Sequence, residues 1–422
     1  MKCFDRHWRR ALLGICLSAG LVSPALSAES VTLNEAIEKA LSQNASVRIA
    51  DETIAERAAK TRQASLLPNP EVGVEVENIL GSGPYAGTDE ADVTIGLSQL
   101  IETGGKRENR IGASRLAETV ATAEREAVER RLRERVAHAF NRLLAAQRDM
   151  ELANAAAARI RDLVPALRER FERGASSEAD LNRGLLTLDL AEIEAQAMQR
   201  EQRFAEQALL ALWSEAVYRP VRAKGALDIP DAALPAFSEL LSRLDDHPTV
   251  RGARQVVGQR RAAFDLEKSN ASPDVTLGAG ARRFTGTDES AFLFSVSIPL
   301  TVFDRNQGNI DAAASQVVQA DLDAQQVRVE LVRELQEVYA TYSSRCSVAA
   351  RLSRSVIPAS EKTAAEIEEG YLRGRFGVLD LLGAQETMID ARLQATEAIL
   401  ACRNAYASLD SLTGPFAEGE LK

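Results

Sequence analysis

The constraint that most narrows what this chain can become is that its sequence is written twice. Asn69-Pro70-Glu71-Val72 answers to Ser272-Pro273-Asp274-Val275 at an offset of 203. RFERGASSEADLN at 170–182 answers to GYLRGRFGVLDLL at 370–382 at an offset of 200, and Asn44 through Val47 answers to Asp246 through Val250. Self-similarity over most of a chain means one structural unit used twice. The division expected is a signal segment at 1–27, a first repeat at 28–222 and a second at 223–422, joined by a Pro- and Ala-containing stretch near 219–237.

Each copy has the same order: a helix, two short strands, a very long helix, a tight break and a long returning helix. Thr32-Leu33-Asn34-Glu35 reads as a capping box, opening a helix whose apolar spacing runs to Leu67, where Pro68 and Pro70 stop it. From about Lys106 to Arg173 the residues Leu116, Val120, Ala123, Ala127, Leu132, Val136, Phe140, Leu143 and Leu144 fall three or four apart. They form one apolar stripe in an otherwise charged helix. At ~1.5 Å per residue such an element spans roughly 100 Å, beyond any compact globule. Pro165 and Pro358 predict kinks in the long helices.

Between these helices the period changes from 3.6 to 2. Strands are expected at 71–80, 91–100, 274–284 and 290–301. Val72, Val74 and Val76 alternate with Glu71, Gly73, Glu75 and Glu77. Val93, Ile95 and Leu97 alternate with Asp92, Thr94, Gly96 and Ser98. The second copy repeats the pattern with Val275, Leu277, Ala279 and Ala281, then with Phe292, Phe294, Val296 and Ile298. Alternation over eight to ten residues suits a half-buried soluble sheet or a membrane barrel strand. No helix is left over to cover a sheet face, which favours the barrel. Four strands cannot close one, and open edges are not tolerated in hydrocarbon. The chain therefore has to oligomerise: two copies give eight strands and a filled interior, three give twelve and a conduit.

Residues 1–27 read as a secretory signal: a basic start ending in Trp8-Arg9-Arg10, an apolar run from Ala11 to Val22, and small residues at Ala25 and Ser27. Cys16 lacks a small residue before it, since Ile15 stands there, so lipidation is not expected. Beyond the signal no run of about 18 apolar residues exists; any membrane crossing has to use strands. Without the signal, which carries four basic residues and one acid, 51 basic and 61 acidic side chains become 47 and 60, a net charge of −13. That balance excludes a nucleic-acid partner.

Catalytic readings fail on the residues. Gly104-Gly105-Lys106 lacks the first glycine and the following Ser or Thr of a phosphate loop, and no nucleophile elbow or triad appears. No metal site and no cofactor are expected, because His138 and His247 lie in different elements with no cluster at ligand spacing. Cys346 and Cys402 are centred on Gly374 and stand at one height of an antiparallel hairpin, so a disulfide is a candidate in an oxidising compartment.

Taken together, these residues resemble the outer membrane efflux protein family, the TolC-like channels, over 30–415. SQLIETGGKRENRI (98–111) and SVSIPLTVFDRNQGNI (295–310) are similar to the subunits that serve cobalt, zinc and cadmium resistance pumps. The resemblance implies a mainly α fold with a small β part. In a homotrimer, four strands per chain form a 12-stranded transmembrane β-barrel, continued by a long coiled-coil helical barrel through the periplasm. It implies the exit duct of a tripartite resistance-nodulation-division (RND) pump that exports divalent metal cations. Its partners would be outer membrane lipid, a periplasmic adaptor and an inner-membrane transporter. Matched by position, Asp180, Tyr371 and Asp380 fall where that family constricts its periplasmic entrance. Phe376 and Gly383 depart from the family's gating arginine and second aspartate ring. Gly174, Gly374, Arg373 and Arg375 become candidate adaptor contacts. If the valines face lipid, Glu71, Glu75, Glu77 and Asp92 line the lumen, with Arg282 or Arg283 partly offsetting them. Alternative expectations are a multidrug or type I secretion duct on the same fold, and a periplasmic coiled-coil scaffold that enters no membrane.

Overall fold

The computed structural model describes residues 29–231 and 233–415; the expected signal lies outside the described residues. The chain runs β1 (Glu29–Val31), α1 (Leu33–Gln43), α2 (Ala45–Ala64), β2 (Glu71–Glu77), β3 (Asp92–Ile101), α3 (Lys106–Glu172), α4 (Glu178–Leu212) and β4 (Val221–Ala223). It continues through α5 (Phe237–Arg243), α6 (Pro248–Asn270), β5 (Val275–Phe284), β6 (Glu289–Ser297), α7 (Gln307–Arg351), α8 (Ile357–Leu372) and α9 (Val378–Thr413). Both repeats thus place a strand hairpin at the head of a long helical hairpin.

Local chemistry sets the boundaries. The capping box opens α1: the Glu35 carboxylate accepts from the Thr32 amide at 2.7 Å, and the Thr32 hydroxyl accepts from the Glu35 amide at 3.4 Å. The single helix expected up to Leu67 is instead two. Asn44 leaves the helical conformation, and its Oδ1 caps the next helix by accepting from the Ser46 amide at 2.9 Å. An asparagine side chain that satisfies an orphan N–H outcompetes continuation there.

The two prolines behave differently from one another. Pro165 lies inside α3, which is continuous over its 67 residues. Its ring is exposed, so water can take up the Arg161 carbonyl left without a donor. Ahead of Pro358 the helix widens into one π-turn over Leu352–Val356, which lets carbonyls before the proline find donors one residue later. The helix is thus interrupted ahead of its proline in the second repeat only.

The interior consists of seams between helices. Leu132, Val136, Phe140 and Leu143 of α3 pack with α1, the α4 end and Trp213. Trp213 donates its indole N–H to the Ala36 carbonyl at 3.0 Å, with the Lys39 ammonium 4.3 Å from its ring. Leu116 and Val120, expected in the stripe, are only half-buried, because α3 there is flanked by α2 and α6 alone. A parallel pair absent from the sequence expectations, β1 against β4, ties residue 29 to residue 221. Three-residue strands carry too little alternation to be read as such.

Cys346 of α7 and Cys402 of α9 are bonded, with Cα atoms 4.9 Å apart and a sequence separation of 56. A bridge closing a loop of that length restricts the unfolded chain by about 4 kcal/mol in the chain-entropy picture. Thiol titration of the unfolded mature protein is expected to find neither cysteine free before reduction and both after it. Two free thiols in unreduced material would exclude the bridge.

Candidate functional site

The four longer strands form one antiparallel sheet in the order β2-β3-β5-β6, and among the described residues no helix packs over either face. The registers align the alternation across all four strands. One transverse row runs Val72, Leu97, Ala279, Phe294 and the next Val74, Ile95, Ala281, Phe292. On this face Phe292 is 85% exposed, Phe294 84% and Val72 74%. A soluble sheet hides such a face; this one presents it along its whole width.

The opposite face carries Glu71, Ser98, Gly278 and Ser295 in one row, Glu75, Thr94, Arg282 and Ala291 in another, and Glu77, Asp92, Phe284 and Glu289 in a third. The four acidic residues expected together are therefore on one surface. Glu289, not among them, joins by register; its position right after the turn hid its parity. The two arginines are not equivalent. Arg282 lies on the acidic face, pairing with Glu77 at 2.6 Å and donating to the Thr94 hydroxyl at 2.9 Å. Arg283 is on the apolar face and pairs with Asp288 in the turn, so only Arg282 offsets the acidic face.

The strands end where the helices begin, at a junction between the repeats. Lys106 reaches Asp274 at 2.7 Å, and the Thr103 amide donates to the same carboxylate at 3.0 Å. The lysine that superficially suggested a phosphate loop is consumed by this pair. The edges of the sheet, β2 on one side and β6 on the other, pair with no other strand among the described residues.

At the far end the two hairpin breaks are built alike. The Gly174 amide donates to Phe171 O at 2.9 Å and the Ala175 amide to Arg170 O at 2.8 Å. The Gly374 amide donates to Tyr371 O at 2.9 Å and the Arg375 amide to Gly370 O at 2.8 Å. Both glycines have φ near +70° (68° and 75°), the left-handed C-cap that only glycine adopts without strain. The returning helices start with aspartate caps. Asp180 accepts from the Ser177 hydroxyl at 2.8 Å, which holds its carboxyl below the usual carboxylate range. Asp380 accepts from the Gly377 amide at 2.9 Å.

Tyr371 is buried with Leu167, Val378, Leu381 and Leu382, where the hairpin α3–α4 meets α8–α9. Its carbonyl accepts from Arg170 Nη1 at 2.9 Å, and the guanidinium lies 4.7 Å from its ring centre. The Tyr371 hydroxyl has no hydrogen-bond partner among the described residues; burial raises its pKa, opposed by the charge of Arg170 and helped by that of Asp180. Arg170 was missed in the sequence because its counterpart in the second repeat is Gly370, which breaks the internal match. Phe376 lays its ring over that glycine: a Cβ on Gly370 would come within 2.3 Å of it. Asp180, hydrogen-bonded to Ser177, acts on Tyr371 only through its charge. No hydrogen bond or ion pair among the described residues joins Asp380 to either.

Between tip and sheet, α3 and α9 share polar contacts. Buried Arg403 donates to Asn141 Oδ1 at 2.9 Å and to the Ala226 carbonyl at 3.2 Å. Asp149 is pushed up to about 6, chiefly by burial. His138 Nε2 lies 4.0 Å from Glu134 Oε1, and no third metal-ligating side chain joins either His138 or His247 among the described residues. Burial, then Arg130, lowers His247 to about 4, and its Nδ1 accepts from the Thr249 amide at 3.2 Å. His138 meets the Asn404 carbonyl at 3.1 Å. Among the described residues no group of three His, Cys, Asp or Glu could hold a metal ion, and no helix is long and apolar enough to cross a membrane.

Comparison with known proteins places this geometry. The pattern of the outer membrane efflux protein family matches residues 36–215 and 241–415. The chain is 30% identical over 395 residues, 93% of its length and 92% of the relative's, to the cobalt-zinc-cadmium resistance protein CzcC of Cupriavidus metallidurans. It is 26% identical to the nickel-cobalt-cadmium resistance protein NccC of Alcaligenes xylosoxydans xylosoxydans, covering 75% of this chain and 72% of that one. In fold it is similar to CusC, with a TM-score of 0.76 at 19% identity over 91% of this chain and 92% of that one. The open-state channel MtrE of Neisseria gonorrhoeae gives 0.73 at 21%, covering 92% and 89%.

Proposed function

The chain belongs to the outer membrane efflux protein family, and from that premise we propose that it is the outer membrane duct of a tripartite RND-type pump exporting divalent heavy-metal cations. One observation carries this reading: a sheet with one fully exposed apolar face, one acidic face and two open edges, standing on long helical hairpins. Lipid satisfies the first face, a water-filled lumen the second, and further copies of the chain the edges. Three copies give twelve strands and leave a conduit. Exposed apolar stripes on α4 (Leu186, Leu190, Ile193) and on α7 (Val318, Leu322, Val329) support self-association along the helical part as well.

The duct works without chemistry. An acidic lumen concentrates cations and repels anions, and the pump behind it supplies the gradient. The metal substrate is taken from the relatives, which are named cobalt-zinc-cadmium and nickel-cobalt-cadmium resistance proteins, since the described residues hold no ligand cluster. Deleting the gene is expected to sensitise cells to cobalt, zinc and cadmium and to leave drug susceptibility unchanged. The reverse profile would reassign the duct to drugs or secreted proteins on the same fold. Protein that fractionates as a soluble monomer would leave only the scaffold alternative.

The hairpin tips form the periplasmic end in this reading. Gly174, Gly374, Arg373 and Arg375, exposed at the breaks, are the adaptor contacts. Arg170, Asp180 and Tyr371 form the closure that adaptor docking loosens, with Asp380 as a separate carboxylate near the axis. Arg170→Ala and Tyr371→Ala remove the contact that holds α8–α9 against α3. Each is expected to raise single-channel conductance in planar bilayers several-fold. Unaltered conductance in both would remove the joint from the gate.

A further inference from the structure

The bridge between Cys346 and Cys402 joins positions 56 apart in the chain, so both sulfurs are thiols until α9 has returned alongside α7 and an oxidant has acted. What the thiols can do before then follows from where the fold puts them. We infer that, ahead of oxidation, Cys346 and Cys402 form a two-thiolate site for one thiophilic divalent cation such as zinc or cadmium. Closing the bridge removes that site from the finished protein. The site stands on geometry alone; the identity of its cation with the cargo rests on the channel reading above.

Helix packing, rather than the bond, brings the two sulfurs together. Toward the sheet, Leu335 and Tyr342 of α7 are buried in one cluster with Cys402, Tyr406 and Leu409 of α9. The Tyr342 and Tyr406 rings, one helical turn from the two cysteines, have their centres 6.1 Å apart. On the other side of the pair, Ala349 of α7 and Ala398 and Ile399 of α9 are buried in a second cluster. Apolar contacts of this kind need no oxidant. The reduced chain therefore holds the two Cα atoms close to the 4.9 Å found across the bridge. Two thiolates on one tetrahedral ion, each at ~2.3 Å from it, lie about 3.8 Å apart. Rotation about the Cα–Cβ bonds supplies that separation without moving the helices.

The surroundings favour a product without net charge. Among the described residues no third His, Cys, Asp or Glu joins the pair, and two bare thiolates in an apolar seam would be costly. One divalent cation cancels both charges. Two S–H bonds break, their protons go to water, and two metal–sulfur bonds form. Water completes the coordination from the side of Cys346, which is half-buried, whereas Cys402 is fully buried. Oxidation reaches neutrality by another route. The two thiols give up two electrons and two protons to the disulfide of an external oxidant, one S–S bond forms, and the oxidant's S–S bond becomes two thiols. The free thiolate is the species that attacks, so a sulfur held by metal is withdrawn from bridge formation. Metal and bridge thus compete for the same two atoms in every newly folded copy.

The test uses mature protein reduced with a phosphine, shown by thiol titration to carry two free thiols per chain, and mixed with cadmium chloride in the absence of oxygen. Expected are one bound cadmium per chain, an ultraviolet thiolate-to-cadmium absorption band and the release of two protons. Bridge formation on adding oxidised glutathione is expected to be slower with cadmium than without it. The oxidised protein and reduced Cys346→Ser are expected to show neither the band nor the proton release. Reduced protein that keeps its helical circular dichroism but binds no more cadmium than the oxidised form overturns the site, as does an undiminished band in Cys346→Ser. Helicity lost on reduction and restored by cadmium supports the site, because metal binding then drives folding. Helicity lost and not restored overturns the claim that packing alone places the sulfurs. Cadmium bound as expected, in a protein whose deletion leaves metal resistance unchanged, keeps the site and removes its link to the cargo.

Discussion

Leu97→Lys is expected to abolish accumulation of the protein as a trimer in the outer membrane, while Ser98→Lys, one residue along the same strand, is expected to leave it intact. Leu97 stands near the middle of β3 in the row Val72, Leu97, Ala279, Phe294 and is 53% exposed on the apolar face. A lysine facing lipid at the midplane costs about 2–4 kcal/mol, and three copies in one barrel bring that to about 6–12 kcal/mol. Assembly does not withstand a loss of that size, given that whole domains are stable by about 5–15 kcal/mol. Ser98 points to the other face and sits opposite Glu71, where a lysine finds water and a carboxylate. Membrane flotation and native gels of the extracted protein read both variants. Equal trimer levels for Leu97→Lys and wild type would mean that this face does not touch lipid, and the barrel would go with it.

The double change Glu71→Lys and Glu75→Lys is expected to erase the cation preference of the channel. The acidic face of the sheet, the lumen side in the proposed channel, carries five carboxylates per chain, Glu71, Glu75, Glu77, Asp92 and Glu289, and one guanidinium, Arg282. The balance is −4 per chain and −12 for three. Two lysines for two glutamates add four charges, taking each chain to zero, while the Glu77–Arg282 pair is untouched. Arg282→Gln acts oppositely: it leaves five uncompensated carboxylates per chain, −15 for three, and is expected to sharpen cation selectivity. Reversal potentials in a potassium chloride gradient measure both. They are best taken near or below 0.1 M, where the screening length of about 10 Å still lets wall charges act on ions in the lumen. A reversal potential that moves in neither variant would mean that ions do not pass along this face.

The polar gate and the lumen differed in how far the residues alone could take them. Glu71, Glu75, Glu77 and Asp92 were legible as one surface because a period of two assigns faces without any knowledge of partners. Arg283 could be separated from Arg282 only once β5 was in register with β3. Tyr371 was legible by position in the repeat. Its role as a buried joint was not, because its partner Arg170 is 201 residues away in the chain and has glycine as its counterpart. The split at Asn44 and the survival of α3 across Pro165 were likewise decided by single hydrogen bonds and by solvent access, which propensity does not register.

What the sequence determined by itself was the plan: a unit used twice, helices of roughly 100 Å, and strands whose alternation needs different solvents on their two sides. These follow from periodicity, which is local and survives without tertiary contacts. What only the tertiary structure decided was which faces and side chains meet: the order β2-β3-β5-β6, the joint at Tyr371, the bond between Cys346 and Cys402, and the unpaired edges. Register and hairpin contact depend on packing between residues far apart in the chain. Many pairings share one local pattern, and only the fold's geometry selects among them.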